Sequence, residues 1–183
     1  MKHLILPAIM LFVTACGGGS GGNQSQETQS QSANQADGVR TIEMVGTDQM
    51  KYVVEEKQDG ITTGGSSGNY MLLESISAEP GEKIRVRLTT ISDLPESAMA
   101  HNFVLLTLSA DPSAFTNEAV KAKDNGYIPA DKKDQILSMT EMAAGGETVE
   151  VTFTAPEETG KYDYVCTFPG HYASGMKGKL IVQ

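Results

Sequence analysis

Two short segments, far apart in the chain, restrict most strongly how this protein can fold. Residues 166–176 read CTFPGHYASGM and place Cys166, His171 and Met176 in a single loop. His101 stands by itself in the segment MAHN, far upstream of that loop. A thiolate, two imidazoles and a thioether can bind one metal ion together only if the fold carries His101 to the loop. The sequence therefore predicts a fold that brings these two segments into contact.

The chemistry of the four side chains favours copper. A cysteine, two histidines and a methionine are the ligands of blue-copper electron-transfer sites. The mixed set suits an ion that is bound as both Cu(I) and Cu(II). Taken singly, each residue has a simpler interpretation, since a free cysteine is often a small buried residue and a methionine often fills a gap in a core. Their spacing together predicts one copper site built from His101, Cys166, His171 and Met176.

Charge and composition exclude several other classes of protein. The 183 residues carry a net charge of −9 and show no basic patch, which argues against nucleic acid as a partner. The two cysteines, Cys16 and Cys166, can formally form a disulfide, but each has a separate explanation. His3 lies in the N-terminal targeting segment, so two histidines remain for a metal. An oxidase or reductase domain with further copper centres needs more histidines than these.

The N-terminal residues predict export and a lipid anchor. Lys2 precedes an apolar stretch, residues 4–13, that is too short to span a bilayer and is followed by small residues. The segment VTAC, which ends at Cys16, resembles a bacterial lipobox, and this implies a signal peptide over residues 1–15 and a lipid on Cys16. A plain signal peptide with an incidental cysteine is the alternative. Residues 16–38, rich in Gly, Ser and Gln, predict a flexible tether.

From residue 39 onward, hydrophobic and polar residues alternate as they do in half-buried strands. Ile84, Val86 and Leu88 alternate with charged residues, and residues 149–154 repeat the pattern. Residues 103–108 are apolar on both faces and predict a central strand. The resulting prediction is an all-β, Greek-key β-sandwich over residues 39–183.

Two interruptions of this pattern have their own predictions. Residues 59–69 are rich in Gly, Thr and Ser and predict an exposed loop. A single helix is expected to begin with Asp111 as its cap and Pro112 at its first position, and to end at Gly126. Its side chains that face the sandwich are expected to be Phe115, Ala119 and Ala122.

The domain resembles a cupredoxin of the azurin group over most of residues 39–183. The similarity is strongest in the segments GTDQMKY, LPESAMAHN and CTFPGH. It implies that His101, Cys166 and His171 form a trigonal plane around one copper ion and that Met176 is a weak axial ligand. The backbone carbonyl of Ala100 can approach the ion from the opposite side. The chain lacks the disulfide of azurins, and its Cys-x4-His-x4-Met loop is similar to that of auracyanins and rusticyanin.

The residues around the ligands have expected roles too. The backbone N–H groups of Asn102 and Phe168 can donate hydrogen bonds to the thiolate sulfur. Such bonds tune the redox potential of the bound copper. A side-chain contact between Asn102 and Thr167 is expected to join the two ligand segments. The resemblance also implies an apolar surface around the edge of His171, with Glu96 beside it to steer a basic partner. That partner patch comprises Met50, Leu94, Ala98, Met99, Phe168, Pro169 and Ala173. Packing in the core is the alternative for Met50, Met99, Phe168 and Pro169.

These inferences predict a type 1 copper electron carrier, anchored by lipid and facing the periplasm of a bacterium. It is expected to cycle one copper ion between Cu(I) and Cu(II) as a monomer and to have no enzymatic turnover. Expected partners are redox proteins such as a c-type cytochrome or a terminal oxidase or reductase. A copper carrier or chaperone that delivers the ion is the alternative, and it would favour an exposed, exchangeable site.

Overall fold

The computed structural model describes residues 38–183. The predicted signal peptide and the lipidated Cys16 lie outside the described residues, as does the predicted tether except for its last residue. Within residues 38–183 the chain forms strands and one α-helix with the following bounds: β1 Arg40–Thr47, β2 Lys51–Val54, β3 Ile61–Ser67, β4 Tyr70–Ala78, β5 Lys83–Ile91, β6 Ala100–His101, β7 Val104–Leu106, α1 Pro112–Ala119, β8 Ile136–Met139, β9 Ala143–Ala144, β10 Thr148–Thr154, β11 Gly160–Val165 and β12 Lys177–Val182.

Most of the strands belong to one curled sheet. Its order is β10-β5-β1-β2-β4-β12-β11-β7-β8, with β3 paired to β4. The pairs β1–β5 and β4–β12 are parallel, whereas the others are antiparallel. The end strands β8 and β10 approach each other, so the sheet is nearly closed. This topology confirms the predicted all-β class and Greek-key sandwich architecture.

Alternation of apolar and polar residues builds the interior of the sheet. In β5, Ile84, Val86 and Leu88 are fully buried, while the intervening Arg85 and Arg87 are not. Successive side chains on a strand point to opposite faces, so this pattern gives each strand one apolar face. The inward faces of the other strands join the same hydrophobic core, which extends to Cys166 and Met176.

The strand β7, which follows the His101 segment, is covered on both faces, as the sequence predicts, but it is shorter than expected. Leu105 lies in the main core, whereas Val104 and Leu106 pack under α1 with Phe115. The strand covers Val104–Leu106, not the whole of residues 103–108. Leu108 is 40% exposed because it lies beyond the last ladder pair of the strand.

The prediction of a loop at residues 59–69 is wrong, because β3 occupies most of that range. Ile61–Ser67 pairs with β4 through a register that shifts twice, between Thr62 and Thr63 and between Thr63 and Ser66. Most of its residues are exposed or half-buried, so the strand has no apolar face that a sequence pattern could reveal. Pairing with β4, rather than burial, holds it in the sheet.

The helix begins as predicted and ends early. The Asp111 carboxylate accepts hydrogen bonds from the backbone N–H groups of Ser113 (2.8 Å) and Ala114 (3.0 Å), and Pro112 occupies the first turn. The α-helix stops at Ala119, and Ala122 takes a non-helical conformation with φ −101° and ψ 35°. A separate 3₁₀ turn follows, and Gly126 ends that turn with a φ of 60°. Ala122 is therefore only half-buried.

Strands and turns converge at one end of the sheet, where both ligand segments lie. The short pair β6–β9 aligns His101 with Ala143, and β11 ends one residue before Cys166. Between residues 38 and 183, no helix is long and apolar enough to cross a lipid bilayer.

Candidate metal centre

Three side chains predicted as ligands meet in the folded chain. The ring nitrogens of His101 and His171 and the sulfur of Cys166 all lie within 4.8 Å of one another. The two Nδ1 atoms are 3.2 Å apart, and the sulfur is 3.4 Å from the Nδ1 atom of His171. His101 and Cys166 are fully buried and His171 is 2% exposed, so the donor atoms face a space closed to bulk water.

The loop that follows Cys166 turns the chain back onto the same point. The carbonyl of Phe168 accepts from the His171 N–H at 3.1 Å, and Gly170 between them has a φ of 84°, which favours glycine. Met176 is tied to both neighbouring ligands. Its N–H donates to the His171 carbonyl at 2.9 Å, and its carbonyl accepts from the Cys166 N–H at 3.1 Å.

These two bonds place Met176 beside the three clustered ligands, where its side chain is fully buried in the main core. Ala100, the candidate for a carbonyl contact, is fully buried in β6 and aligned with Ala144 of β9. The axial roles of Met176 and Ala100 stay predictions.

A pair of hydrogen bonds joins the two ligand segments. The Asn102 side chain donates to the Thr167 hydroxyl at 2.8 Å and accepts from the Thr167 backbone N–H at 2.9 Å. The contact predicted from the sequence is therefore present, and it is buried. The backbone N–H groups of Asn102 and Phe168 also donate to the sulfur of Cys166, as expected. Each ligand segment thus stabilises the position of the sulfur.

The hairpin formed by β1 and β2 packs against the His101 segment. A Cβ atom added to Gly46 would lie 2.5 Å from Cδ2 of His101, so only glycine leaves room for the ring. The Tyr52 hydroxyl donates to the Asn102 carbonyl. Sequence reasoning assigned no role to Gly46 or Tyr52, although both lie in the segment GTDQMKY that carries the family resemblance.

Burial sets the proton affinity of the metal-free ligands. Desolvation, together with the nearby His171, lowers the pKa of His101 to about 3, and the Thr47 carbonyl opposes this fall only in part. Nε2 of His101 has no hydrogen bond of ordinary geometry within residues 38–183. Desolvation likewise lowers the pKa of His171 to about 4. It raises the pKa of the Cys166 thiol to about 12, against the effect of the two N–H donors.

These properties fit a bound copper ion. The Nδ1 atoms of the two neutral imidazoles are 3.2 Å apart, so either one ring donates a hydrogen bond to the other or a cation lies between them and accepts both lone pairs. Metal–nitrogen and metal–sulfur bonds of about 2.0–2.3 Å are compatible with donors this far apart. A bound cation also reverses the effect of burial on the thiol, because a coordinating thiol loses its proton. One thiolate and two imidazoles are a ligand set that suits copper.

The predicted partner patch is only partly on the surface. Leu94 is 46% exposed, and Ala98, Ala173 and Glu96 are exposed too. Met50 and Pro169 are half-buried.

The prediction of surface exposure is wrong for two members of the patch. Met99 is 7% exposed and Phe168 is 8% exposed, so both are buried rather than surface residues. Phe168 is covered because its ring packs between His171, at 4.7 Å between centroids, and Tyr127, at 5.3 Å. Tyr127 was not identified from the sequence. Its positive φ of 59°, directly after Gly126, has no signature that a pattern of hydrophobic residues could reveal.

Comparison with known proteins agrees with this geometry. A family model described as copper binding proteins, plastocyanin/azurin family, matches residues 62–183. Auracyanin-A of Chloroflexus aurantiacus is 32% identical over 186 aligned positions, covering 100% of this chain and 95% of that protein. Azurin of Alcaligenes faecalis is 34% identical over 102 positions, 54% of this chain and 77% of the azurin. The solved structure of auracyanin A, described as a "blue" copper protein, superposes with a TM-score of 0.60 and 30% identity, covering 80% of this chain and 100% of that one.

The metal-free protein is expected to lose stability as the pH falls from 7 to 5. The histidines have folded-state pKa values of about 3 and about 4, against 6.5 when exposed. The unfolded chain therefore binds more protons in this range, and unfolding becomes more favourable by about 2 kcal/mol for each histidine at pH 5. Urea unfolding at several pH values measures this slope. In His171→Gln the slope should be about half as steep, and a free energy of unfolding independent of pH would contradict the prediction.

Replacing Gly46 by alanine is expected to weaken copper binding by roughly tenfold to 100-fold, as loss of a contact that orients a ligand commonly does. The added methyl group would displace the His101 ring. Competition with a chelator measures the affinity. Gly65→Ala is the matched control, because no atom lies within 4 Å of its added Cβ. Equal affinities in both variants would show that the close contact at Gly46 does not position His101.

Proposed function

Because the chain belongs to the plastocyanin/azurin family of copper-binding proteins, we propose that it is a blue-copper electron carrier. The observation that carries the proposal is the buried convergence of His101, Cys166 and His171 within 4.8 Å. When bound, copper supplies a one-electron couple between Cu(I) and Cu(II). The three side chains would hold the ion, and Met176 is proposed as a weaker further ligand, with the Ala100 carbonyl as a candidate additional contact.

Fast electron transfer needs ligands that move little when the oxidation state changes, and the surroundings of these ligands support that role. Asn102 and Thr167 restrain the two ligand segments by reciprocal hydrogen bonds of 2.8 and 2.9 Å. The N–H groups of Asn102 and Phe168 orient the sulfur of Cys166 and lower its charge density. Burial excludes water from the donor atoms. This chain is similar to an auracyanin and to azurins, and we propose a carrier of electrons rather than an enzyme.

The same burial distinguishes this proposal from that of a copper chaperone, which must give up its ion. Electron self-exchange, measured by NMR line broadening in mixtures of Cu(I) and Cu(II) protein, should be fast. Loss of copper to an excess of chelator should be slow, over hours or longer. Rapid release of copper with slow self-exchange would contradict electron transfer and support copper delivery instead.

We propose an exported, lipid-anchored location at the periplasmic face of a bacterial membrane. Support comes from the apolar stretch of residues 4–13, the VTAC segment and the polar composition of residues 16–38. Mass spectrometry of the protein from its native membrane should find a lipid on Cys16. A Cys16 that is retained but carries no lipid would contradict the anchor without affecting the copper site.

The proposed partner is a redox protein such as a c-type cytochrome or a terminal oxidase or reductase. It would dock near His171, the one ligand in the His101–Cys166–His171 set with any exposed surface. The exposed members of the patch, Leu94, Ala98 and Ala173, would offer a small apolar contact suited to a transient complex. The exposed Glu96 would attract a basic partner in a salt-dependent way.

Replacing Met176 by leucine is expected to leave the protein blue and to raise its reduction potential. The strong ligands remain, while an apolar neighbour disfavours the more highly charged Cu(II). The visible spectrum and a redox titration measure the two effects. Loss of copper binding in a folded Met176→Leu variant would contradict a weak axial role.

Replacing Leu94 by lysine is expected to slow electron self-exchange by about tenfold, because it places a charge on a small apolar contact surface. The visible spectrum should not change. Leu108→Lys is the matched control. Leu108 is similarly exposed, 40% against 46%, and it packs on Gly160, at the end of β11 opposite Cys166. Equal effects of the two substitutions would show that the contact surface lies elsewhere.

A further inference from the structure

A lysine from outside the ligand loop contacts that loop between two of its ligands. Lys51 begins β2, and its ammonium group donates to the backbone carbonyl of Ser174. The ammonium nitrogen also lies over Gly175, where an added Cβ would be only 2.7 Å away. Lys51 is half-buried, so this contact is only partly open to competition from water.

The contacted segment consists mostly of small residues. Four residues separate His171 from Met176, and they include Ala173, Ser174 and Gly175. Gly175 has a φ of 97°, and small residues offer little side-chain packing. The backbone bonds of Ser174 and Gly175 stay within the loop: each N–H donates at 3.0 Å, to the Gly170 and Tyr172 carbonyls respectively. The bonds of Met176 to His171 and Cys166 hold the end of the segment. Lys51 contributes a bond from a distant strand.

The hairpin that carries Lys51 also contacts the other ligand segment. Its turn is closed by the Met50 N–H, which donates to the Thr47 carbonyl at 2.8 Å. Gly46 lies against the His101 ring, and the Tyr52 hydroxyl bonds the Asn102 carbonyl. Residues 46–52 therefore touch both segments that supply ligands, and a displacement of one segment relative to the other would break contacts with this hairpin.

We propose that Lys51 is a positioning residue for the metal centre: its bond to Ser174 holds the segment between His171 and Met176 and so sets where the methionine lies relative to the other ligands. The inference rests on the proposed copper function. It adds a residue that acts through the backbone of the loop. The charged donor and neutral carbonyl make the bond stronger than an ordinary one.

The first test uses the full chain without metal. Hydrogen exchange at the amides of Ser174, Gly175 and Met176 should become about tenfold faster in Lys51→Met, as expected for loss of a charge-assisted hydrogen bond. Lys51→Arg keeps the charge and the donor and should restore slow exchange. Amides of β5 serve as an internal reference for global stability. Unchanged exchange in the loop of Lys51→Met would overturn the proposal.

A second variant separates position from charge. Lys177 lies over the Tyr172 ring, 4.3 Å from its centroid, so Lys177→Met removes an equal charge near the same segment and leaves the Ser174 carbonyl bonded. The same acceleration at all three amides in Lys177→Met would overturn a specific role for Lys51.

The copper-loaded chain supplies a spectroscopic readout. A displaced axial ligand changes the relative intensity of the two sulfur-to-copper absorption bands. This ratio should change in Lys51→Met and return in Lys51→Arg, and an unchanged ratio would overturn the link to Met176. Failure of the unmodified chain to bind copper would overturn the proposed function, and the inference with it. The metal-free exchange data identify that case separately from a failure of the Lys51 contact.

Discussion

Reciprocal hydrogen bonds between Asn102 and Thr167 connect the two parts of the chain on which the metal centre depends. The bonds, 2.8 and 2.9 Å long, are buried, so water does not compete for them. Each of these residues directly follows a ligand, His101 in one case and Cys166 in the other. Without these bonds the two segments would be joined only by the sheet and by the hairpin of residues 46–52. The sheet brings the segments near each other, and the side-chain bonds determine their separation.

The metal-free site holds its three clustered ligands uncharged. Burial keeps both histidines neutral and raises the pKa of the thiol to about 12, so the thiol keeps its proton. A bound cation would displace that proton and accept a lone pair from each of the three groups. The surrounding bonds come from the residues that follow β6 and β11 and from the hairpin of residues 46–52, so they hold the donor atoms in place without a metal. The proposed electron transfer requires donors that are held in this way.

Sequence patterns predicted those features that depend on local chemistry or on a regular alternation of buried and exposed residues. The alternation in β5 was sufficient to predict the sandwich, and the cap at Asp111 was sufficient to predict where its helix starts. The ligand spacing was sufficient to predict the His–Cys–His cluster. β3 was missed because its pairing with β4 needs no apolar face. Phe168 was placed on the surface because its burial depends on Tyr127, which a tertiary contact alone brings to it. The contact of Lys51 with Ser174 is likewise tertiary and has no local signature.

The most direct test of the account is a redox titration of the copper-loaded protein, followed by visible absorption and electron paramagnetic resonance, with copper analysis of the same sample. The account predicts one copper ion per chain, an intense blue absorption that disappears on uptake of one electron and returns on reoxidation, and a folded but colourless Cys166→Ser variant. A copper-loaded protein without the blue absorption, or one that retains it in Cys166→Ser, would contradict a centre built on the Cys166 thiolate.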